Sequence, residues 1–150
     1  RALKHAHARE RMGTPRRVNT PAPGKELNTH HCKAAIANLS IFLNQNNVDI
    51  LLNQEPYCHN GIPSLTPINY TNFYIPSNTV PRACIYIRSD IAHNFTLIHS
   101  FSTPDDVIIA LSTNPTLYIA SSYLPPYDTL IQDLQPFEDF LTSLHPTNLI

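Results

Sequence analysis

The fold is set by residues 48–56, which read Val-Asp-Ile-Leu-Leu-Asn-Gln-Glu-Pro. The nearly continuous apolar run predicts a strand that is covered on both of its faces. Pro56 ends this strand, because proline has no N–H to give to a strand ladder. Glu55 therefore stands where the sheet stops, and its carboxylate is the first candidate for chemistry.

An amphipathic helix is predicted before this strand. Apolar residues recur at three- and four-residue steps from Cys32 to Asn47, with Thr29 or His30 as the start. A second apolar stripe, over residues 130–144, predicts another helix, in which Pro136 causes a kink or a late start.

Short strands are predicted between the two helices, after a loop at residues 56–69. Stretches rich in β-forming residues follow one another at about ten-residue spacing: 70–75, 82–88, 95–101, 107–112 and 117–123. This order predicts an α/β (α+β) fold in which two mostly antiparallel sheets form a sandwich with outer helices. A doubly wound nucleotide-binding fold fits less well, because no Gly-rich turn follows any strand.

Basic residues are concentrated at the start of the chain. Residues 1–25 hold seven of the ten Lys and Arg residues and one acid, whereas residues 26–150 hold three basic and ten acidic residues. Four residues there, Pro15, Pro21, Pro23 and Gly24, interrupt the chain, so we expect a flexible arm at 1–25 and a domain at 26–150. The arm is either a solvated linker or a segment that contacts nucleic acid.

Several classes of protein are not supported. No apolar run approaches the ~20 residues of a membrane span, and a P-loop, an H-E-x-x-H and a G-x-S-x-G motif are absent. The three cysteines, Cys32, Cys58 and Cys84, are too widely spaced for a zinc ribbon, and we expect reduced thiols in an intracellular protein. The chain does not begin with Met, shows no secretory leader, and ends at residues 148–150, which resemble the start of a strand. We therefore expect it to be a fragment.

Two further residues are candidates. Asn28 precedes the first helix, and its amide could bind a phosphate oxygen or a metal-bound water, although Asn also favours helix starts. Tyr123 follows a predicted strand and precedes Pro125, and its phenol could contact a phosphate. Glu55 alone could hold Mg²⁺ with waters and a substrate phosphate.

Taken together, the motifs resemble one family. The resemblance is carried by residues 28–35 (Asn-Thr-His-His-Cys-Lys-Ala-Ala), 49–57 (Asp-Ile-Leu-Leu-Asn-Gln-Glu-Pro-Tyr), 60–63 (Asn-Gly-Ile-Pro), 81–87 (Pro-Arg-Ala-Cys-Ile-Tyr-Ile) and 121–127 (Ser-Ser-Tyr-Leu-Pro-Pro-Tyr). The chain is similar to the N-terminal part of an endonuclease/exonuclease/phosphatase domain. More narrowly, it resembles the apurinic-type endonuclease of arthropod non-LTR retrotransposons.

The resemblance implies a fold, an activity and site residues. The fold would be a four-layer sandwich, and the activity would be DNA nicking by metal-dependent phosphodiester hydrolysis. Asn28 would orient the phosphate or a metal-bound water, Glu55 would bind Mg²⁺ or Mn²⁺, and Tyr123 would contact the scissile phosphate. The implied partners are DNA and, through a full-length polyprotein, element RNA, with a nuclear location and no membrane.

The chain departs from the family pattern at two motifs. The family's Asp-x-Asn segment, which supplies the water-activating Asp, is absent, and so is its Ser-Asp-His segment. His30 stands where the family often has a second acid. We therefore expect this 150-residue chain to be inactive by itself, because loss of one such group costs ~10²–10⁴ in rate.

Three alternatives stay open. A non-catalytic nucleic-acid-binding relic would depend on the basic arm. A repair nuclease or phosphatase of the same superfamily would share Asn28, Glu55 and Tyr123. A purely structural protein would leave the coincidence of the motifs unexplained.

Overall fold

The computed structural model describes residues 24–125 and 135–144, which form two packed β-sheets and two outer helices. In chain order, the helices and strands of these ranges are β1 (Gly24–Asn28), α1 (Lys33–Gln45), β2 (Ile50–Gln54), β3 (Cys58–His59), β4 (Ile62–Pro63), β5 (Tyr70–Phe73), β6 (Ala83–Arg88), β7 (Phe95–Leu97), β8 (Asp106–Leu111), β9 (Leu117–Ser122) and α2 (Gln135–Leu144). Two 3₁₀ turns, Ala92–Asn94 and His99–Phe101, flank β7.

The larger sheet has the strand order β1-β2-β6-β5. Its β1 is parallel to β2, and its other two strand pairs are antiparallel. The smaller sheet, β7-β8-β9, is antiparallel throughout, and β3 and β4 form a separate short hairpin. This α+β arrangement confirms the predicted fold class.

Helix α1 covers one face of the larger sheet. Its buried residues Ile36, Leu39 and Leu43 pack with Leu51 of β2 and Tyr86 of β6 in one core cluster. The predicted start at Thr29 or His30 is wrong: α1 begins at Lys33, after two residues with positive φ that no helix can contain. The predicted end is close to the observed one at Gln45.

The second core lies between the two sheets. Ile85 and Ile87 of β6 pack there with Val107 and Ile109 of β8, and Ile50 and Leu52 of β2 border the cluster. Since side chains alternate along a strand, β2 contributes to both cores. The strand is therefore covered on both faces, as its apolar run predicts.

Helix α2 lies on the outer face of the smaller sheet. The ring of Phe140 is 5.6 Å from that of Phe101 and 5.1 Å from that of Tyr118, measured between centroids. Tyr118 of β9 lies beside Ala110 of β8. Because side chains alternate along a strand, both lie on the opposite face of the sheet from Ile109. The four layers are thus α1, the larger sheet, the smaller sheet and α2.

Two sequence predictions need correction. The loop predicted at 56–69 contains the β3-β4 hairpin, and the strand predicted at 95–101 ends at Leu97 and continues as a 3₁₀ turn. Alternating apolar residues do not distinguish a strand end from a tight turn that packs on α2. Residues 130–134 of the second predicted helix lie outside the described residues.

The proposed arm lies almost wholly outside the described residues. Only Gly24 and Lys25 of its 25 residues are described, and both belong to β1. The arm and its boundary with the domain both stay predictions. In residues 24–125 and 135–144, no helix has the length and apolarity needed to cross a bilayer.

We expect Leu43→Ala to lower the free energy of unfolding by about 2–5 kcal/mol, because it opens a cavity under α1. Leu43 is fully buried, whereas Ile41 of the same helix is 58% exposed. Ile41→Ala is therefore the matched control, with an expected change within about 0.5 kcal/mol. Urea unfolding measures both, and equal effects would contradict the described packing of α1.

Candidate active site

The three candidate residues stand at the ends of three strands. Asn28 is the last residue of β1, Glu55 follows β2, and Tyr123 follows β9. Parallel pairing of β1 and β2 places Asn28 beside Gln54, so the carboxyl ends of both strands share one edge. Tyr123 reaches the same place from the smaller sheet.

Gln54 connects these strand ends. Its Nε2 donates to Oε1 of Glu26 in β1 at 2.8 Å and to the carbonyl oxygen of Ser122 in β9 at 3.1 Å. One side chain therefore ties the two sheets together directly beside the candidate residues. Sequence reasoning missed this role of Gln54.

Glu55 is the centre of the site, and its side chain is 17% exposed. Its Oε2 is 3.2 Å from Nδ1 of His30, and its Oε1 is 4.0 Å from Nε2 of His31. The side chains of Asn28 and Tyr123 hydrogen bond to the same carboxyl group. The structure thus brings all three candidates together and adds two imidazoles.

These neighbours set the ionisation of Glu55. Burial raises its pKa, but the hydrogen bonds from Asn28 and Tyr123 and the nearby histidines outweigh burial, so the pKa is lowered from its ordinary value. Glu55 is therefore a carboxylate at neutral pH. Conversely, the hydrogen bond to Glu55 raises the pKa of Tyr123, which keeps its phenol protonated and able to donate.

The backbone around Glu55 is strained. His30, His31 and Glu55 have φ values of 47°, 52° and 49°, in the left-handed region that costs an L residue about 1–2 kcal/mol. Such residues persist only where their surroundings hold them, and they cluster at functional sites. Asn47, Asn60, Leu65 and Asn69 also have positive φ, so the strain at this strand end accompanies the side-chain contacts of Glu55 and is not by itself a sign of function.

Hydrogen bonds from the turn after β1 hold the strained segment. The Thr29 hydroxyl donates to the carbonyl oxygen of Glu55 at 2.9 Å, and the His31 amide donates to the same oxygen at 2.7 Å. The Asn28 Oδ1 accepts from the His30 amide at 2.8 Å, which leaves the Asn28 amide nitrogen to face Glu55. Thr29 is 2% exposed, and the sequence predicted it only as a possible helix start.

Arg82 and Asp105 also border the site. The Arg82 guanidinium carbon lies 4.8 Å from the centroid of the Tyr123 ring, and the Arg82 Nε donates to Asp105 Oδ1 at 2.7 Å. Arg82 belongs to the Pro-Arg-Ala-Cys segment of the sequence, but no spacing rule predicts what its side chain contacts.

The fold is similar to that of a retrotransposon endonuclease domain. The solved structure is the endonuclease domain of TRAS1, a telomere-specific non-LTR retrotransposon, with a TM-score of 0.61 and 22% sequence identity. The match covers 81% of this chain and 53% of that chain, so this chain spans about half the length of the TRAS1 domain. No protein-family model and no curated protein matches the sequence.

At 22% identity, the likeness to the TRAS1 domain concerns the fold alone. In this chain, Asn28, Glu55 and Tyr123 lie at strand ends of both sheets.

The donor set at Glu55 is compatible with a hard divalent cation. Mg²⁺ in proteins is commonly held by one or two carboxylates, and waters and substrate phosphates complete its ligands. Glu55 offers one carboxylate, whereas Asn28 turns its amide nitrogen, a hydrogen-bond donor, towards that carboxylate. Among residues 24–125 and 135–144, no three or more His, Cys, Asp and Glu side chains are grouped to hold a metal by themselves. Glu55 is therefore the residue that would bind such a cation, with most other ligands coming from water and phosphate.

We expect Thr29→Val to lower the free energy of unfolding by about 1–2 kcal/mol, because it removes a buried donor and leaves its acceptors less well satisfied. The shape of the side chain is nearly unchanged, so the effect reports the hydroxyl. Thr96 of β7 is exposed, and Thr96→Val serves as the control with a change within about 0.5 kcal/mol. Chemical denaturation measures both variants, and an unchanged Thr29→Val protein would contradict the role of this hydroxyl.

Proposed function

We propose that this chain is the N-terminal part of a metal-dependent DNA endonuclease domain. The domain would belong to the endonuclease/exonuclease/phosphatase family, in the form carried by arthropod non-LTR retrotransposons. The observation that carries the proposal is the meeting of Asn28, Glu55 and Tyr123, from three strands and both sheets, around one ionised carboxylate. The fold likeness to the TRAS1 endonuclease domain supports it.

Each of the three residues has a task that its chemistry allows. The Glu55 carboxylate would hold Mg²⁺ or Mn²⁺, and a divalent cation stabilises the negative charge that develops on a phosphodiester under attack. The protonated Tyr123 phenol and the Asn28 amide are hydrogen-bond donors for phosphate oxygens. Both donors are already directed at a negatively charged oxygen group, Glu55, so little reorientation is needed to serve another one.

We propose that the 150-residue chain does not cleave DNA by itself. Its sequence contains neither the Asp-x-Asn nor the Ser-Asp-His segment that the family resemblance requires. A carboxylate that activates water and a histidine that binds the phosphate are thus missing. The partners of the whole protein would be DNA in the nucleus and, through a polyprotein, element RNA.

The test of cleavage uses nicking of supercoiled plasmid in Mg²⁺. We expect no nicking by the 150-residue chain. A polypeptide extended with the residues encoded after Ile150 in the source transcript should nick, and Glu55→Gln in it should lower the rate by about 10²-fold or more. Glu138 of α2 is exposed, so Glu138→Gln is the matched control and should retain the wild-type rate.

Two outcomes would contradict this proposal. Robust nicking by the 150-residue chain would refute its inactivity, and full activity of the extended Glu55→Gln protein would remove Glu55 from the site. An inactive extended protein that binds DNA with a steep salt dependence would favour the non-catalytic relic. Hydrolysis of abasic DNA or of a phosphomonoester instead of intact plasmid would favour a repair nuclease or a phosphatase.

Cation binding is tested without any activity. Mn²⁺ is paramagnetic, so its binding broadens the amide NMR signals of nearby residues in the isolated chain. We expect selective broadening at Asn28, Glu55 and Tyr123, which Glu55→Gln abolishes and Glu138→Gln leaves in place. Broadening that persists in Glu55→Gln would place the cation elsewhere.

A further inference from the structure

Arg82 and Asp105 connect Glu55 with Tyr123, in addition to the direct hydrogen bond between the Glu55 and Tyr123 side chains. The Glu55 amide donates to the carbonyl oxygen of Arg82 at 2.7 Å, and the Tyr123 amide donates to that of Asp105 at 2.9 Å. The backbones of both candidate residues are therefore held by this pair. The Arg82 amide also donates to the carbonyl oxygen of Pro104 at 2.8 Å, which joins the two loops.

The side chains of the pair are fixed to each other. Arg82 binds Asp105 through two parallel contacts, from Nε to Oδ1 at 2.7 Å and from Nη2 to Oδ2. Such fork-to-fork pairing restricts the plane of the guanidinium as well as its position. Both side chains are about one third exposed, so the pair lies at the rim of the site.

The fixed guanidinium then covers the Tyr123 ring. The distance of 4.8 Å to the ring centroid is within the range of a cation–π contact. A ring held on one face by a guanidinium and at its hydroxyl by Glu55 has little freedom to turn away. A lysine could supply the charge but not the planar stacking and the bidentate grip.

We propose that Arg82, oriented by Asp105, is a positioning residue that holds the Tyr123 phenol towards Glu55 and the phosphate site. This inference rests on the proposed function for the role of Tyr123 in cleavage, but the positioning of the ring can be observed by itself. In this arrangement Arg82 acts through Tyr123.

The chain offers a control that matches the change in charge. Arg88 ends β6, the strand that directly follows Arg82, and pairs with Asp49 and Asp90. Arg88→Met therefore removes one paired arginine from the opposite end of the same strand. The test set is Arg82→Met, Arg82→Lys, Asp105→Asn and this control.

The first measurement is NMR of the chain with ¹³C-labelled tyrosine, in which Tyr123→Phe assigns the Tyr123 signal. Wild-type protein should show contacts between the Arg82 δ protons and the Tyr123 ring. Arg82→Met and Asp105→Asn should shift the Tyr123 signal. Arg82→Lys should restore the Tyr123 signal only in part, and Arg88→Met should leave the Tyr123 signal in place.

The second measurement is plasmid nicking by the extended polypeptide. We expect Arg82→Met to lower kcat by about tenfold to a hundredfold with little change in KM, because a misplaced donor affects the transition state more than binding. A Tyr123 signal that is unchanged in Arg82→Met, or shifted equally in Arg88→Met, would overturn the positioning role whether or not the enzyme cleaves. An extended polypeptide without substitutions that does not nick while the NMR results hold would refute the proposed function and leave the positioning intact.

Discussion

The structure depends on the burial of β2 between two cores. One face of this strand packs under α1, and the other borders the cluster between the sheets. Its edges are also occupied, since β1 pairs with it in parallel and β6 in the antiparallel sense. A strand held on four sides cannot shift its register without exposing apolar residues, and its end is therefore a rigid place.

Rigidity at the end of β2 is what makes the site possible. Glu55 follows the strand directly, in a left-handed conformation that only strong local hydrogen bonds can maintain. Thr29 and His31 supply these bonds to the Glu55 carbonyl, and Arg82 accepts one from its amide. The backbone of Glu55 is thus fixed on both sides before any ligand arrives.

The neighbours of Glu55 keep its side chain negatively charged, so that it attracts cations and hydrogen-bond donors. The Asn28 amide, the Tyr123 phenol and the imidazoles of His30 and His31 surround Glu55. Together they lower its pKa by more than burial raises it. A lone carboxylate kept ionised in this way is suited to a hard divalent ion and to phosphate chemistry. The Arg82–Asp105 pair at the rim holds the Tyr123 ring in place without entering the site.

The sequence alone located most of the helices and strands and indicated the three candidate residues. Apolar periodicity located α1, a nearly continuous apolar run located β2, and a stretch of β-forming residues located β6, because these segments bury whole faces and their patterns are strong. Weaker patterns failed: the start of α1 was placed too early, and the 3₁₀ turn at His99–Phe101 was taken for strand. Both errors concern ends of elements, where a few hydrogen bonds decide between conformations of similar energy.

Only the tertiary structure decided what surrounds Glu55. The imidazoles of His30 and His31, the hydroxyl of Thr29 and the Arg82–Asp105 pair reach the site through strained turns and contacts between distant parts of the chain. No local pattern encodes such contacts, because they arise from the packing of two sheets that are formed by separate stretches of sequence. Residue type and spacing thus determined which groups are present, and the packing of the sheets determined which of them meet.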